Sequence, residues 1–319
     1  MTRRGQRKRR KANQIRQLPW REISNPYAPI AILSDDQVET IIDTALHVLE
    51  TQGMRFLEPT SRDMLAKAGA NVDNDAQMVR FEPDLVRETV ARAPHEFELR
   101  ARNPAHDLKL GSNRTVFTSV GGPAFVSDLD NGRRPGNYED MCNYFRVVQS
   151  LNIIHQEGGG AFEAMDLPAE TRHLDLYLAQ HRLLDKNAQA YALGRERTID
   201  AIEMACIALG TTRESLAERP ALLAIINTNS PMQLDTPMTE AILELATAGQ
   251  VCCITPFTLA GSMSPATLAG TLMQQTAEVL AVATFAQIVN PGAPIMYGSF
   301  ASNVDMQSGS PALGTPEYT

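Results

Sequence analysis

From Val116 onward the chain alternates short apolar runs with helix-length segments, and this alternation constrains the fold more than any other feature. The runs are VFTSVG (116–121), NIIHQ (152–156), AQAYAL (188–193), ALLAIIN (221–227), VCCITP (251–256) and PIMYGS (294–299). Between them, helices are expected over 138–150, 169–184, 196–209, 237–248 and 266–289. The first run is followed by AFVSDLDNGRR, which reads as an excursion or a hairpin. Near-continuous apolar strands separated by helices belong to a parallel sheet covered on both faces. An open doubly wound sheet and a (β/α)8 barrel both fit. No strand is followed by a GxGxxG phosphate fingerprint, and glycines or polar residues collect after almost every strand, which favours the barrel. The expected fold is α/β: a TIM-type (β/α)8 barrel, incomplete, with about six βα units over 113–319. The last residues, Gly314 to Thr319, read as the opening of a further helix, so about two units are expected to be missing.

The stretch from Gly261 to Ser299 is the best-defined part of the pattern. Ser264 is expected as N-cap and Pro265 at the first helical position. The helix should stop at Asn290-Pro291-Gly292, where proline cannot continue it, and hand the chain to a strand ending at Tyr297-Gly298. Ahead of the barrel, residues 34–112 read as a small α+β lead-in. Ser34 caps a helix with an apolar stripe of Ile41, Ala45, Leu46, Val48 and Leu49, ended by Gly53. A second helix is expected from Ser61 to Lys67, a strand from Met78 to Phe81, a helix opened by Pro83, and a strand near Phe97 to Ala101.

Residues 1–33 form an N-terminal arm, basic at its start and then extended through Pro19, Pro26 and Pro29. Residues 1–11 hold seven basic side chains and no acid; removing that +7 from the net −8 leaves about −15 for the rest. An acidic body argues against nucleic acid as the main partner, and the arm lacks the apolar core of a secretory signal. No run approaches the roughly 20 apolar residues of a membrane span. The four cysteines, Cys142, Cys206, Cys252 and Cys253, show no metal-site or disulfide spacing, and Cys252 and Cys253 read as buried small hydrophobes. A cytoplasmic protein is expected, with no membrane and no nucleic-acid partner.

In a barrel the site lies at the C-terminal ends of the strands. Those positions hold Gly121 and Gly122, Gln156 and Glu157, Asn227 to Ser230, Thr255 and Pro256, and Tyr297 to Ser299, with Phe257 and Phe300 nearby. The set lacks paired histidines, a GxSxG elbow and a strand-end lysine, so no metal site, triad or Schiff base is signalled. It suits a small cationic or neutral ligand: Tyr297, Phe257 or Phe300 could offer a ring face to an ammonium group, and Glu157 could balance its charge. The candidate substrate-binding residues are therefore Glu157, Asn227, Asn229, Thr255, Phe257, Tyr297 and Phe300. Glu157 reads equally well as an acceptor for neighbouring backbone N–H groups, and His155 reads as a satisfied core histidine.

SPATLAGTLMQQTAEVLA followed by PGAPIMYGS resembles the trimethylamine methyltransferase family of corrinoid-dependent methyltransferases. ALHVLETQGMRF, LAKAGANVD, FEPDLVRETVARAP, ARNPAHDLKLG and NTNSPMQLD match in order, so the resemblance runs from about Ser34 to the end. It implies a (β/α)8 barrel that takes a methyl group from a methylated amine, quaternary or tertiary, and passes it to cobalt. The corrinoid (cobalamin) would be carried by a cognate partner protein, with none bound covalently here. It also implies a homo-oligomer when full length. A tertiary amine needs an added electrophile, supplied in archaeal members by pyrrolysine in a segment after the next strand. The catalytic residues are accordingly expected beyond Thr319, in a C-terminally truncated member. A quaternary amine such as glycine betaine is favoured as substrate. Two other readings remain open: another barrel enzyme, a lyase or isomerase with Glu157 as base, and a non-catalytic protein that binds a betaine-like cation.

Overall fold

The computed structural model describes residues 15–122 and 125–315. The basic arm of residues 1–11, and Pro316 to Thr319 of the helix opening expected at the C-terminus, lie outside the described residues.

Helix α1 (Asp35–Thr51) starts on a capping box. Ser34 Oγ accepts from Gln37 N, the Gln37 side chain accepts from Ser34 N, and Asp35 and Asp36 favour the positive end of the dipole. Ala45, Leu46 and Leu49 of the expected stripe are buried. Helix α2 (Pro59–Lys67) begins earlier than Ser61, because the Glu58 carboxylate accepts from Thr60 N and Ser61 N. Helix α3 (Pro83–Val90) opens on its proline as expected. Strands Met54–Phe56, Asn71–Asp73 and Met78–Arg80 form a small antiparallel sheet. Gln233–Leu234, from far along the chain, adds to it in parallel beside Met54–Phe56. That pairing stitches the lead-in to the main body and left no periodic trace in two residues.

Helix α4 (Tyr138–Ser150) is capped by Asn137, with Asp140 completing the box. The main sheet then follows in chain order: β1 (Gln156–Glu157), α5 (Arg172–Leu183), β2 (Asn187–Ala190), α6 (Arg195–Leu209), α7 (Arg213–Glu218), β3 (Leu223–Ile226), α8 (Thr236–Thr247), β4 (Val251–Ile254), α9 (Leu268–Val289) and β5 (Ile295–Tyr297). All five strands are parallel and each pairs with the next in sequence. Thr118 extends the order by one parallel bridge to Gln156. The sheet is thus a mixed α/β arrangement wound in one direction, without the reversal of strand order that a doubly wound sheet shows. No closed barrel is formed among the described residues.

Its two faces separate by residue parity. Ala224, Ile226, Cys252 and Ile254 join the large core shared with the helices. Leu223, Val251 and Cys253 face the other way, against Leu99, Leu108 and Leu110 of the hairpin Phe97–Leu99/Leu108–Leu110, with Trp20, Ile225 and Met296 packed around them. The N-terminal segment and this hairpin therefore cover the inward face, the one turned away from the helices, at the strands' N-terminal end. Burial pushes the Cys252 thiol up to about 12, which fits an inert core residue.

Several expectations shift at their edges. The run at 116–121 contributes a single bridge rather than a strand. Asn152 to Ile154 form a turn, with Ile154 N donating to Leu151 O, so β1 starts at Gln156 rather than Asn152. Helix α5 starts at Arg172 rather than Ala169, because Thr171 N and Arg172 N both turn back to the Pro168 carbonyl. Helix α9 is capped by Thr267, whose Oγ1 accepts from Gly270 N, and not by Ser264. Ser264 instead meets Thr271 Oγ1 at 2.9 Å, and its carbonyl closes a turn on Gly261 N. The hairpin at 126–134 forms as expected. Two short parallel strands, Phe257–Ala260 and Phe300–Asn303, were not anticipated; they extend beyond β4 and β5.

Helix α9 has no single polar face and is buried on most sides, polar Gln274, Gln275, Glu278 and Gln287 included. Ala277, Val279, Ala281, Val282, Ala283, Phe285 and Ala286 are all in the core. It packs against α1, α2 and α3 as well as β4 and β5, and so couples the lead-in to the sheet.

Candidate functional site

Where β1, β3, β4 and β5 end, the inward register continues into Gly158, Asn227, Thr255 and Gly298. Backbones meet there at distances that exclude side chains. A β-carbon at Gly121 would lie 2.0 Å from the Gly158 carbonyl oxygen, and one at Gly158 would lie 2.2 Å from that of Ser119. Gly159 and Gly160 have φ of +89° and +97°, a region that glycine enters without a β-carbon clash. Gly121, Gly158 and Gly298 are thus required by close approach. They also leave the strand ends bare.

Beside them lies a cavity of about 360 Å³. Gly158 to Gly160, Gln189, Ile225 and Asn227 form its floor and strand side; Phe162, Tyr191 and Leu176 give apolar and aromatic wall; Glu163, Arg172 and His173 add charge and polarity. Arg172 Nη1 pairs with Glu163 Oε2 at 3.2 Å, and Nη2 donates to Leu167 O at 3.2 Å. His173 Nε2 lies 2.8 Å from Asp200 Oδ2. Burial, and then the nearby Glu163 charge, hold the Tyr191 phenol above its ordinary value, so it stays neutral at physiological pH. A pocket of this size with aromatic walls and a few polar groups suits a small organic ligand. Among the described residues no group of three or more His, Cys, Asp or Glu side chains converges as a metal site would require.

The seven sequence candidates are not gathered into one pocket. Asn227 lines the cavity, and its Nδ2 donates to the Thr255 carbonyl at 2.9 Å, so Asn227 and Thr255 are brought together. Glu157 is fully buried on the helix side of β1. Its carboxylate accepts from Gly159 N and Gly160 N, each at 2.9 Å, and from Gln180 Nε2 of α5 at 2.7 Å. Burial pushes this carboxyl up from its ordinary value, while the glycine amides and Gln180 pull it back. The carboxylate fills the concavity made by the glycine amides, which is the backbone-acceptor role weighed from the sequence.

Asn229 sits in the loop after β3, bonded to Asp235 Oδ2 at 3.1 Å. Phe257 and Phe300 stack on each other, with centroids 4.5 Å apart and planes at 20°. Tyr297 shares the parity of Ile295 and reaches the helix side, where its hydroxyl meets Gln275 Nε2 and Thr276 Oγ1, each at 3.1 Å. His155 is satisfied at both nitrogens: Nδ1 accepts from Phe117 N at 3.0 Å, and Nε2 lies 3.0 Å from Arg21 O.

The sequence reading missed Phe162, Glu163, Arg172, His173, Gln189 and Tyr191. For two of them a signal existed: Asn187, Gln189 and Tyr191 recur every second residue, a polar stripe on one face of the strand. The others lie on the connection from β1 to α5, or at the start of α5, where no period marks them.

Residues 1–319 match the trimethylamine methyltransferase (MTTB) family. The chain is similar to a glycine betaine methyltransferase of Desulfitobacterium hafniense (strain Y51), 35% identical over 286 residues, which is 90% of this chain and 59% of that protein. It is 26% identical over 295 residues to the trimethylamine methyltransferase MttB of Desulfitobacterium hafniense (strain DSM 10664 / DCB-2), over 90% of this chain and 58% of that one. A proline betaine:corrinoid methyltransferase of Eubacterium limosum is 25% identical over 295 residues, 89% of this chain and 59% of that one. The chain therefore spans less than two thirds of the length of these relatives. With a match across its whole length, the chain belongs to the trimethylamine methyltransferase family.

Proposed function

We propose that the protein takes a methyl group from a methylated amine and delivers it to the cobalt of a corrinoid protein, with the cavity beside β1–β3 holding the amine. The observation that carries this reading is the cavity itself. Its Phe162 and Tyr191 side chains give it aromatic wall, and the Glu163 carboxylate, paired with Arg172, brings a negative charge that a bound cation would share. Family membership supplies the reaction class. The 35% identity to a protein named glycine betaine methyltransferase favours a quaternary amine as the substrate.

A quaternary ammonium already carries a good leaving group, a neutral amine. What this chain must do is hold the cation, turn one methyl toward the opening and keep water away. Gln189 and Asn227 would orient the ligand's polar end, and Glu157 would act indirectly, by fixing the glycine turn that forms the floor. The corrinoid, held by its own protein, supplies the methyl acceptor. Its fit is supported by the cavity rim, where Leu193 and, just outside the lining, Val120 and Met165 are exposed apolar side chains.

The same reading makes the parallel sheet part of a (β/α)8 barrel, with residues 34–112 as its lead-in and 113–319 contributing the barrel. Consecutive parallel pairing, helices on one face and a plugging hairpin on the other support it.

Calorimetric titration with glycine betaine, trimethylamine and tetramethylammonium tests the binding half. Saturable binding that is weakened about 10-fold or more by Tyr191→Ala is expected. Binding that ignores Tyr191→Ala and Phe162→Ala alike would place the amine elsewhere.

A further inference from the structure

Buried polar side chains recur along α9, and Gln274, Gln275 and Glu278 are three that lie in its N-terminal half. Glu278 is fully buried. Its Oε2 accepts from Ser230 Oγ at 2.7 Å and from Thr228 Oγ1; its Oε1 accepts from Met232 N at 2.9 Å and Gln274 Nε2 at 3.0 Å. Gln275 Nε2 donates to the Tyr297 hydroxyl at 3.1 Å, and its Oε1 accepts from Thr258 Oγ1 at 3.2 Å and Ser299 Oγ at 3.0 Å.

A buried carboxylate bonded to hydroxyls and amides, with no cation among those partners, is costly beside an apolar side chain of similar size. The helix itself needs neither residue. What they reach are Thr228, Ser230 and Met232 after β3, Thr258 beyond β4, and Tyr297 and Ser299 at the end of β5. Thr228 follows Asn227. Tyr297 and Ser299 flank Gly298, whose α-carbon approaches Thr255 so closely that no β-carbon fits. Gripping these outward neighbours sets the inward direction of Asn227 and the closeness of Gly298 to Thr255.

We propose that Gln275 and Glu278 are positioning residues for the amine site, holding three strand-end segments in register from behind; this rests on the amine-site reading above. Neither touches the cavity, so their effect is transmitted through Asn227, Thr255 and Gly298. The chemistry of the partners makes the roles separable. Every partner of Gln275 is a hydroxyl, so a protonated glutamic acid at 275, with one O–H donor and a carbonyl acceptor like the amide, can serve the same three groups, and leucine can serve none. Glu278 also accepts from a fixed backbone N–H, which an amide in its place must meet with its oxygen alone.

The test uses Gln275→Leu, Gln275→Glu and Glu278→Gln, with Ser230→Ala as the milder variant should Glu278→Gln not fold. Two readouts are taken: amide hydrogen exchange over 228–232 and 297–299, and KM and kcat for methyl transfer to a corrinoid protein. Gln275→Leu and Glu278→Gln should speed exchange in those segments about 10-fold while β3 and β4 exchange as before. They should raise KM about 10-fold or more, with Gln275→Glu close to wild type. Folded variants with unchanged exchange and unchanged KM overturn the proposal. So does Gln275→Glu being as impaired as Gln275→Leu, which would mark a packing role. Wild-type protein that transfers no methyl group at all would instead sink the functional reading, and the exchange readout would still decide the clamp.

Discussion

Gly298 and Thr255 approach so closely that a β-carbon on Gly298 would stand 2.1 Å from Thr255 Oγ1 and 3.1 Å from the Ile254 carbonyl oxygen. The Thr255 side chain therefore fills the space beside Gly298 where β4 and β5 end. Gly298→Ala is expected to destabilise the fold by about 1–3 kcal/mol through overpacking. Thr255→Gly removes the group it would strike, so the double variant should recover part of that loss. Urea unfolding of the four proteins measures the coupling; strictly additive effects would show that the two residues do not share this space.

Lys186 reaches under α4 and donates to three carbonyls: Val148 at 2.9 Å, Leu151 at 2.7 Å and Ile154 at 2.8 Å. It caps the negative end of that helix and holds the turn that delays β1. Burial lowers its ammonium to about 8, while Asp185 opposes the shift. Lys186→Met removes all three bonds, leaving Val148 O and Leu151 O with one backbone donor each, and should cost about 2–4 kcal/mol in urea unfolding. A change below about 0.5 kcal/mol would mean that water or a local shift satisfies those carbonyls.

The cap of α9 separates two neighbouring residues. Thr267→Ala should cost about 1 kcal/mol, because it removes the acceptor for Gly270 N. Ser264→Ala, which loses a hydroxyl contact to Thr271, should cost less. Thermal unfolding of the two variants checks the order. The reverse order would restore Ser264 as the cap.

His181 is pushed down from 6.5 to about 4 by burial and by the Arg102 guanidinium, which also donates to its carbonyl. As pH falls from 6.5 toward 4, the unfolded chain takes up a proton that the folded chain refuses, so stability is lost through that window. Above 6.5 the group contributes no slope. His181→Gln removes the titration, and its unfolding midpoint should fall less than that of wild type over the same window. Parallel pH profiles for the two proteins would contradict this assignment.

The architecture was legible because its signals are periodic. The helices at 138–150, 195–209 and 236–247 begin and end close to their expected bounds, since asparagine, glycine and aspartate caps mark their starts. Apolar runs at 223–226 and 251–254 required burial on both faces, and they have it. Pairings held by a few residues were not legible: Gln233–Leu234 joins the lead-in sheet through backbone bonds that its side chains do not advertise.

The site was legible in part. Strand-end position picked out Asn227, which lines the cavity, and Thr255, whose carbonyl it bonds, but strand parity turned Glu157 and Tyr297 to the helix side. Position along a strand predicts nearness to the mouth; parity decides the face, and a one-residue slip in register reverses it. Glu163 and Arg172 meet across the connection into α5, a contact that depends on how the loop closes.

The most direct measurement is methyl transfer itself. Purified protein is mixed with its methylated amine and a corrinoid protein held in the reduced state, and the corrinoid spectrum is followed. The account predicts conversion to the methylated corrinoid with glycine betaine or another quaternary amine, slowed about 10-fold or more by Tyr191→Ala. No conversion with any quaternary or tertiary methylamine, by a folded protein and a competent corrinoid partner, would contradict it.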